Sequence, residues 1–398
     1  MANTYRSVFA RPGAARLFAS SLIGRLPLGM SSLTMLLLVR ESTHSYAAAG
    51  AAVGASALAA ALCGPVLGRL IDLAGRRLVV GPVAGLQACA YLALALAAGA
   101  RMGAPVLIGC CALAGALVPP VAPVVRALLR ELYDEPRVRE TAFSLEAILQ
   151  ETIWIAGPLL TTVVVTVSSP RIAAAMLGAI GLGGTLLFLA SPLLATGAPR
   201  HGPAGRVSAL ASQRLRWLLV PVALMGAGLG AVEVGIPSLA LHDGSRAASG
   251  SLLALWSLGS MAGGVGYSSA RWRSGLGSRY AVLLLLNCLS LIPLLLTGSL
   301  ALAAPASFIA GLAIAPTFSC LYSLVGHVVI PNSEHEAFSW VLSALVIGIA
   351  AGSAGAGVLI SSLGIHGPFL LALIAAACAA AGSVRFAGMP FGVSVTST

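Results

Sequence analysis

Charge is scarce in this chain, and lysine is missing altogether. Of 398 residues, 9% are charged, against about 25% in a soluble domain. With 58% hydrophobic residues, a water-soluble fold of this size would have too little polar surface to cover itself. Lipid removes that difficulty, because it replaces water around the outer faces. Aromatic residues make up 6%, and the bulk is Ala, Leu and Gly, residues that let helices pack closely in a bilayer.

Other absences narrow the function. The seven cysteines, Cys63, Cys89, Cys110, Cys111, Cys288, Cys320 and Cys378, form no C-x-x-C and sit in apolar segments. They read as small buried hydrophobes rather than ligands or disulfides. His44, His242 and His366 lie near one set of span ends and His201, His327 and His335 near the other, too dispersed for a shared metal. No phosphate-cradling Walker sequence and no hydrolase elbow is present, and the scattered glycines lack the strand–helix context of a dinucleotide site. Neither cofactor nor catalysis is expected. The first apolar run is long and lacks a following cleavage pattern, so it reads as a span rather than a removable signal peptide.

What is present is a series of long apolar runs. A crossing needs about 20 such residues, and the candidates are 17–39, 46–69, 78–99, 104–125, 141–166 and 171–193, then 217–241, 248–269, 279–298, 302–325, 337–362 and 366–386. The short gaps after 99 and 298 leave the count at eleven or twelve. The runs do not alternate as barrel strands do. Net charge is +11, but the 23 arginines collect in short gaps and form no basic face for nucleic acid. With the N-terminus in the cytoplasm, eighteen fall inside or at the inner edge, Arg126 among them, and four outside, with Arg25 left within the first span. That bias predicts both termini inside a cell membrane and an even number of spans.

The gap 195–216, with Gly197, Pro199, Gly202, Pro203 and Gly205, reads as a flexible cytoplasmic linker. It separates an N-terminal bundle, 1–194, from a C-terminal bundle and tail, 217–398. The halves echo each other. Ala142-Phe143-Ser144 recurs as Ala337-Phe338-Ser339 and Gly157 as Gly352; Gly50, Gly64 and Ala104-Pro105 recur as Gly250, Gly264 and Ala304-Pro305. The expected fold is therefore an all-α multi-pass membrane protein of twelve transmembrane helices in two six-helix bundles. Duplicated bundles around a pathway are a recurrent transporter design.

Four charges interrupt the apolar spans, where each is expensive. Arg25 sits midway through span 1 beside Pro27, and contacts an anionic substrate or forms an ion pair. Glu146 and Glu151 in span 5 lie five residues apart, about 140° around the helix. Glu146 is near enough to the inner mouth to belong to a gate, while Glu151 is the better proton-binding candidate or a partner of Arg25. Glu233 in span 7 can oppose Arg25 across the halves. Gln150, Trp154, Asn287, Tyr322 and Trp340 line a route or simply pack.

The stretch from Gly64 to Arg77 resembles the cytoplasmic signature of the major facilitator superfamily, with Gly68, Asp72, Gly75, Arg76 and Arg77 matching and Leu73 standing where a basic residue is usual. The resemblance implies the major facilitator fold, alternating access, and a conformational gate at those five residues. Gly157-Pro158 resembles the helix signature of the superfamily's drug-proton antiporter branch, though the fuller glycine pattern and the early Arg of span 4 are missing. Pro27, Gly157 and Pro158 are expected to make local helix irregularities. The implied function is secondary transport of an unidentified small molecule, driven by a proton gradient and directed outward, with a metabolite uptake permease as the alternative. The implied partners are the bilayer, the substrate and protons, with no nucleic acid, and the working unit is a monomer.

Overall fold

The computed structural model describes residues 2–194, 207–242, 246–270, 272 and 274–387. Most of the expected linker, together with Arg271 and Arg273, lies outside the described residues. Among the described residues every regular element is helical. In chain order these are α1 (Ala2–Phe9), α2 (Ala14–Thr43), α3 (Tyr46–Ala74), α4 (Arg76–Gly99), α5 (Ala104–Ala116), α6 (Val121–Leu132), α7 (Pro136–Val167) and α8 (Pro170–Leu189). Then come α9 (Gln213–His242), α10 (Arg246–Ser269), α11 (Leu276–Ser290), α12 (Ile292–Leu296), α13 (Leu300–Gly311), α14 (Ile314–Val328), α15 (Glu334–Leu363) and α16 (Gly367–Ala387).

Local chemistry sets the boundaries. The side chains of Ser45 and Ser169 accept from the backbone N–H of Ala48 and Ile172 and so cap α3 and α8. A single residue, Gly75, links α3 to α4 at φ 96°, a conformation that a side chain would strain. Pro27 and Pro158 are absorbed within the continuous helices α2 and α7. The breaks fall elsewhere. Span 4 divides into α5 and α6 at Leu117–Pro120, where Pro119 and Pro120 lack N–H donors, and span 10 divides into α13 and α14 at Leu312 and Ala313. Span 4 also runs on to Leu132, well past its expected end at 125.

Eleven helical stretches among the described residues are long and apolar enough to cross a membrane. The stretch expected at 248–269 is α10, which is not among them. Its 24 residues reach ~36 Å, but its Ser and Gly content dilutes the apolar character. Large apolar side chains such as Leu58, Leu78, Leu296 and Val358 cover the outside, as lipid-facing helices require.

The helices pair in a repeated pattern. α2 packs on α7 and α8, α3 on α5, and α4 on α8; likewise α9 packs on α15 and α16, α10 on α13, and α11 on α16. Glycines allow the closest approaches. A Cβ on Gly157 would strike the backbone of Gly29 across the α2–α7 contact, and one on Gly352 would strike Ala227 across α9–α15.

The cores divide unevenly along the helix axes. At the end that carries the start of α2, here called basal, one core joins Phe18, Val80, Leu128 and Phe143 to Leu218, Tyr280, Leu324 and Phe338. At the opposite, distal end two cores stand apart. One draws on α2, α3, α4, α5 and α8, with Met35, Leu38 and Leu94. The other belongs to α9 through α16, with Ile236, Trp256 and Phe369.

Candidate functional site

Three buried charges occupy the interior of α2, α6 and α7. Both oxygens of Glu146 accept from Arg25, at 2.6 and 3.0 Å, a bidentate pair of the strong, charge-assisted kind. Arg25 Nε also donates to the Ser21 carbonyl at 3.1 Å, and Nη1 approaches Gln150 Oε1 at 3.4 Å. Arg126 Nε lies 3.4 Å from the same carboxylate, and its guanidinium sits 4.1 Å above the Tyr322 ring. Arg25 is 1% exposed and Glu146 0%, so this set carries two guanidiniums and one carboxylate away from bulk solvent. Arg25 thus pairs with Glu146 rather than with Glu151 or Glu233. The Gly29–Gly157 contact fixes this choice: one turn before Gly29, α2 presents Arg25 to the stretch of α7 that precedes Gly157. Glu146 is fully buried, two residues beyond Ser144 of α7. Arg126 lies inside too, rather than at the inner edge, because α6 continues beyond it.

Glu151 faces a different neighbour, as its 140° offset requires. It accepts from Ser260 Oγ of α10 at 3.1 Å and lies near enough to Glu233 of α9 for the two charges to interact. Glu233 remains accessible although neighbouring helices surround it. Neither carboxylate has an ion-pair partner among the described residues. Both sit close to where the shared basal core gives way to the separate distal ones: Leu229, one turn before Glu233, packs against both, and Val232 and Ile236 beside Glu233 belong to the distal core. Asn287 is buried in α11, Gln150 is half-buried, and Trp154, one turn beyond Gln150 on α7, is exposed.

The basal end is tied across by polar contacts. Ser333 at the start of α15 makes no side-chain cap, and Asp72 at the end of α3 supplies the missing acceptor. It takes the N–H groups of His335 at 3.2 Å and Glu336 at 2.8 Å, where the helix dipole favours a negative charge. His335 Nδ1 is 2.6 Å from the same carboxylate, and its Nε2 accepts from Arg76 Nε at 3.2 Å. These partners assign the ring proton to Nδ1. Arg76 also pairs with Glu131. A Cβ on Gly68 would come within 2.6 Å of the His335 carbonyl oxygen, so glycine alone permits this approach of α3 to α15. Arg77 is exposed on α4.

Further ties join the same end. Arg130 reaches Glu334 at 3.3 Å, Arg279 reaches Glu140 at 2.7 Å, and Ser144 Oγ donates to the Gly264 carbonyl at 2.7 Å. Tyr322 packs with Phe143, Phe318 and Phe338 at ring-centroid distances of 6.1, 5.9 and 6.3 Å. Trp340 packs against the same core. Sequence reasoning missed His335 as the partner of Asp72, the Arg279–Glu140 pair, and the role of Arg126. The last carried a signal: Arg126 and Arg130 share one face of an otherwise apolar helix. Among the described residues no cluster of three or more His, Cys, Asp or Glu can hold a metal, and all seven cysteines are free.

A bundle of membrane-length helices, closed at one end by polar ties and split at the other around unpaired carboxyls, defines a multi-pass membrane protein of the transporter class. The family model described as Major Facilitator Superfamily matches residues 17–336, and the chain belongs to that superfamily. It is a secondary transporter of a small molecule rather than an enzyme. Among solved structures it is similar to the human organic anion transporter MFSD10 (TETRAN), with TM-score 0.74 and 18% identity over 94% of this chain and 99% of that one. It is similar as well to a bacterial homologue of the iron transporter ferroportin in its outward-facing state, with TM-score 0.76 and 13% identity over 94% and 99%. The same homologue with soaked iron gives 0.74 and 16% over 95% and 100%. At these identities the likeness concerns the fold. No curated protein matches the chain.

Proposed function

We propose that the protein is a proton-coupled exporter of a small amphipathic molecule, built as two six-helix halves with α10 as the twelfth crossing. In this reading 1–194 and 217–398 rock about the basal contacts. The observation that carries it is the division of the cores: a single core spans both halves basally, two separate cores stand distally, and Glu151 and Glu233 sit at the fork. The basal end bears most of the arginines, which supports a cytoplasmic placement of that end and of both termini in a cell membrane. The conformation is then the outward-open one, with the gate of Gly68, Asp72, Gly75, Arg76 and Arg77 closed.

The division of labour among the charges supports coupling. Glu146 is committed to two guanidiniums and serves as a structural pivot between α2, α6 and α7. Glu151 on α7 and Glu233 on α9 have no such commitment and belong to opposite halves, so a proton or a substrate group can be exchanged there as the distal end opens and closes. The Gly157-Pro158 step supports kinship with the drug-proton antiporter branch, and a monomer contains the complete pathway.

The test is flux in proteoliposomes holding the purified full chain, with and without an imposed proton gradient. Amphipathic dyes of either charge, Hoechst 33342 and carboxyfluorescein, serve as first probes. Gradient-dependent flux that is lost in Glu151→Gln and Glu233→Gln supports the reading. Flux indifferent to both the gradient and the substitutions refutes the coupling assignment.

A further inference from the structure

A cavity lies on the outer side of the C-terminal helices, lined by neither Glu151 nor Glu233. It has a volume of about 470 Å³ and runs between α10 and α11 over a floor from α13 and α14. Gly266 on one wall carries no side chain, and Leu286 and Leu289 line the other, with Leu312 beneath. These leucines are exposed at the molecular surface, so the groove opens sideways, which in a bilayer means into hydrocarbon.

One end of the groove is polar. Tyr267 and Trp272 line it there, with ring centroids 5.2 Å apart. Arg279 donates to the Tyr267 hydroxyl at 3.2 Å, and its guanidinium carbon lies 5.4 Å from the Trp272 ring. Arg279 Nε is buried without a hydrogen-bond partner. Among the described residues Glu140 is the carboxylate that meets Arg279. An apolar slot open to lipid, ending in an aromatic pair with a buried and incompletely satisfied guanidinium directly behind it, has the chemistry of an acyl chain joined to an anionic headgroup.

We propose that this groove holds one acyl chain of an anionic phospholipid, with its phosphate at Arg279. The inference rests on the membrane placement of the chain and not on the transport reading. It has a mechanical consequence, because Arg279 is also the residue that ties α11 to Glu140 of α7 across the basal closure. A phosphate at Arg279 competes with Glu140, so lipid composition shifts the ease with which the basal end opens.

The experiment is native mass spectrometry of the purified full chain in detergent. Dioleoyl phosphatidylglycerol, dioleoyl phosphatidylcholine and inorganic phosphate are added separately. A Cβ at Gly266 meets nothing within 4 Å, so Gly266→Leu adds an apolar side chain to the groove wall, whereas Arg279→Gln removes the charge. The wild type should retain one phosphatidylglycerol per chain in preference to phosphatidylcholine by roughly fivefold, the worth of one guanidinium at a membrane surface. Arg279→Gln should bring the two lipids to parity, and Gly266→Leu should lose both. Equal retention of the two lipids by the wild type overturns the proposal. So does phosphatidylglycerol retention unchanged by Gly266→Leu, or phosphate alone binding as well as the lipid.

Discussion

Replacing Asp72 by Asn should open the basal end. In the present conformation the Asp72 carboxylate accepts from two backbone N–H groups and one imidazole, at 3.2, 2.8 and 2.6 Å. Hydrogen bonds to a charged group contribute about 1.5–3 kcal/mol each, and a charge at a helix N-terminus adds about 0.3–1 kcal/mol. Asn keeps one acceptor oxygen but turns an NH₂ toward a second donor. A net loss of about 3 kcal/mol from the basal-closed state follows, a shift of roughly a hundredfold in the ratio of closed to open forms. Spin labels at Met102→Cys and Gly298→Cys, both exposed at the distal end, read the shift as a distance distribution in a background free of the native cysteines. The label separation should shorten as the distal end closes. A distribution identical to that of the parent would refute the account of Asp72 as the acceptor that holds α15 to α3.

Substitutions at three other positions carry further predictions. Gly68→Ala places a methyl group within 2.6 Å of the His335 carbonyl oxygen, so it should shift the same label pair in the same direction without any change of charge. Glu146→Gln leaves Arg25 and Arg126 buried together without a carboxylate, at a cost of about 3–5 kcal/mol; a marked fall in thermal midpoint in detergent is expected, and an unchanged midpoint would contradict the pivot role. Tyr322→Phe keeps a ring beneath Arg126 and should be near neutral, whereas Tyr322→Leu removes a cation–π contact of about 0.5–2 kcal/mol, read as lowered thermal stability.

The membrane class was legible from composition because it depends on bulk quantities, apolar length and charge scarcity, that need no partner. Pairwise facts were less accessible. Gly68 and Asp72 were recognisable as a motif, yet His335 could not be named as the partner of Asp72, since the contact joins residues 263 positions apart through an uncapped helix start. Arg25 was recognisable as costly, but its choice of Glu146 depends on the crossing point set by Gly29 and Gly157, which no spacing along one helix reveals. In the sequence Arg126 and Arg130 have the character of an aqueous boundary, which sets the expected end of span 4 at 125. In the fold the helix carries Arg126 inward to a carboxylate and an aromatic face. The run 248–269 is less apolar than its neighbours because its Ser and Gly residues serve helix contact, with Gly259 and Gly263 set against the backbone of Phe308 and Leu312.

The role of Glu151 and Glu233 is tested most directly by one comparison. In proteoliposomes, substrate exchange with equal proton concentrations on both faces is measured beside accumulation driven by a proton gradient, for the wild type, Glu151→Gln and Glu233→Gln. The account predicts that exchange survives in at least one variant while accumulation disappears in both, because alternation uses the basal contacts and coupling uses the carboxyls. Undiminished gradient-driven accumulation in both variants would contradict it.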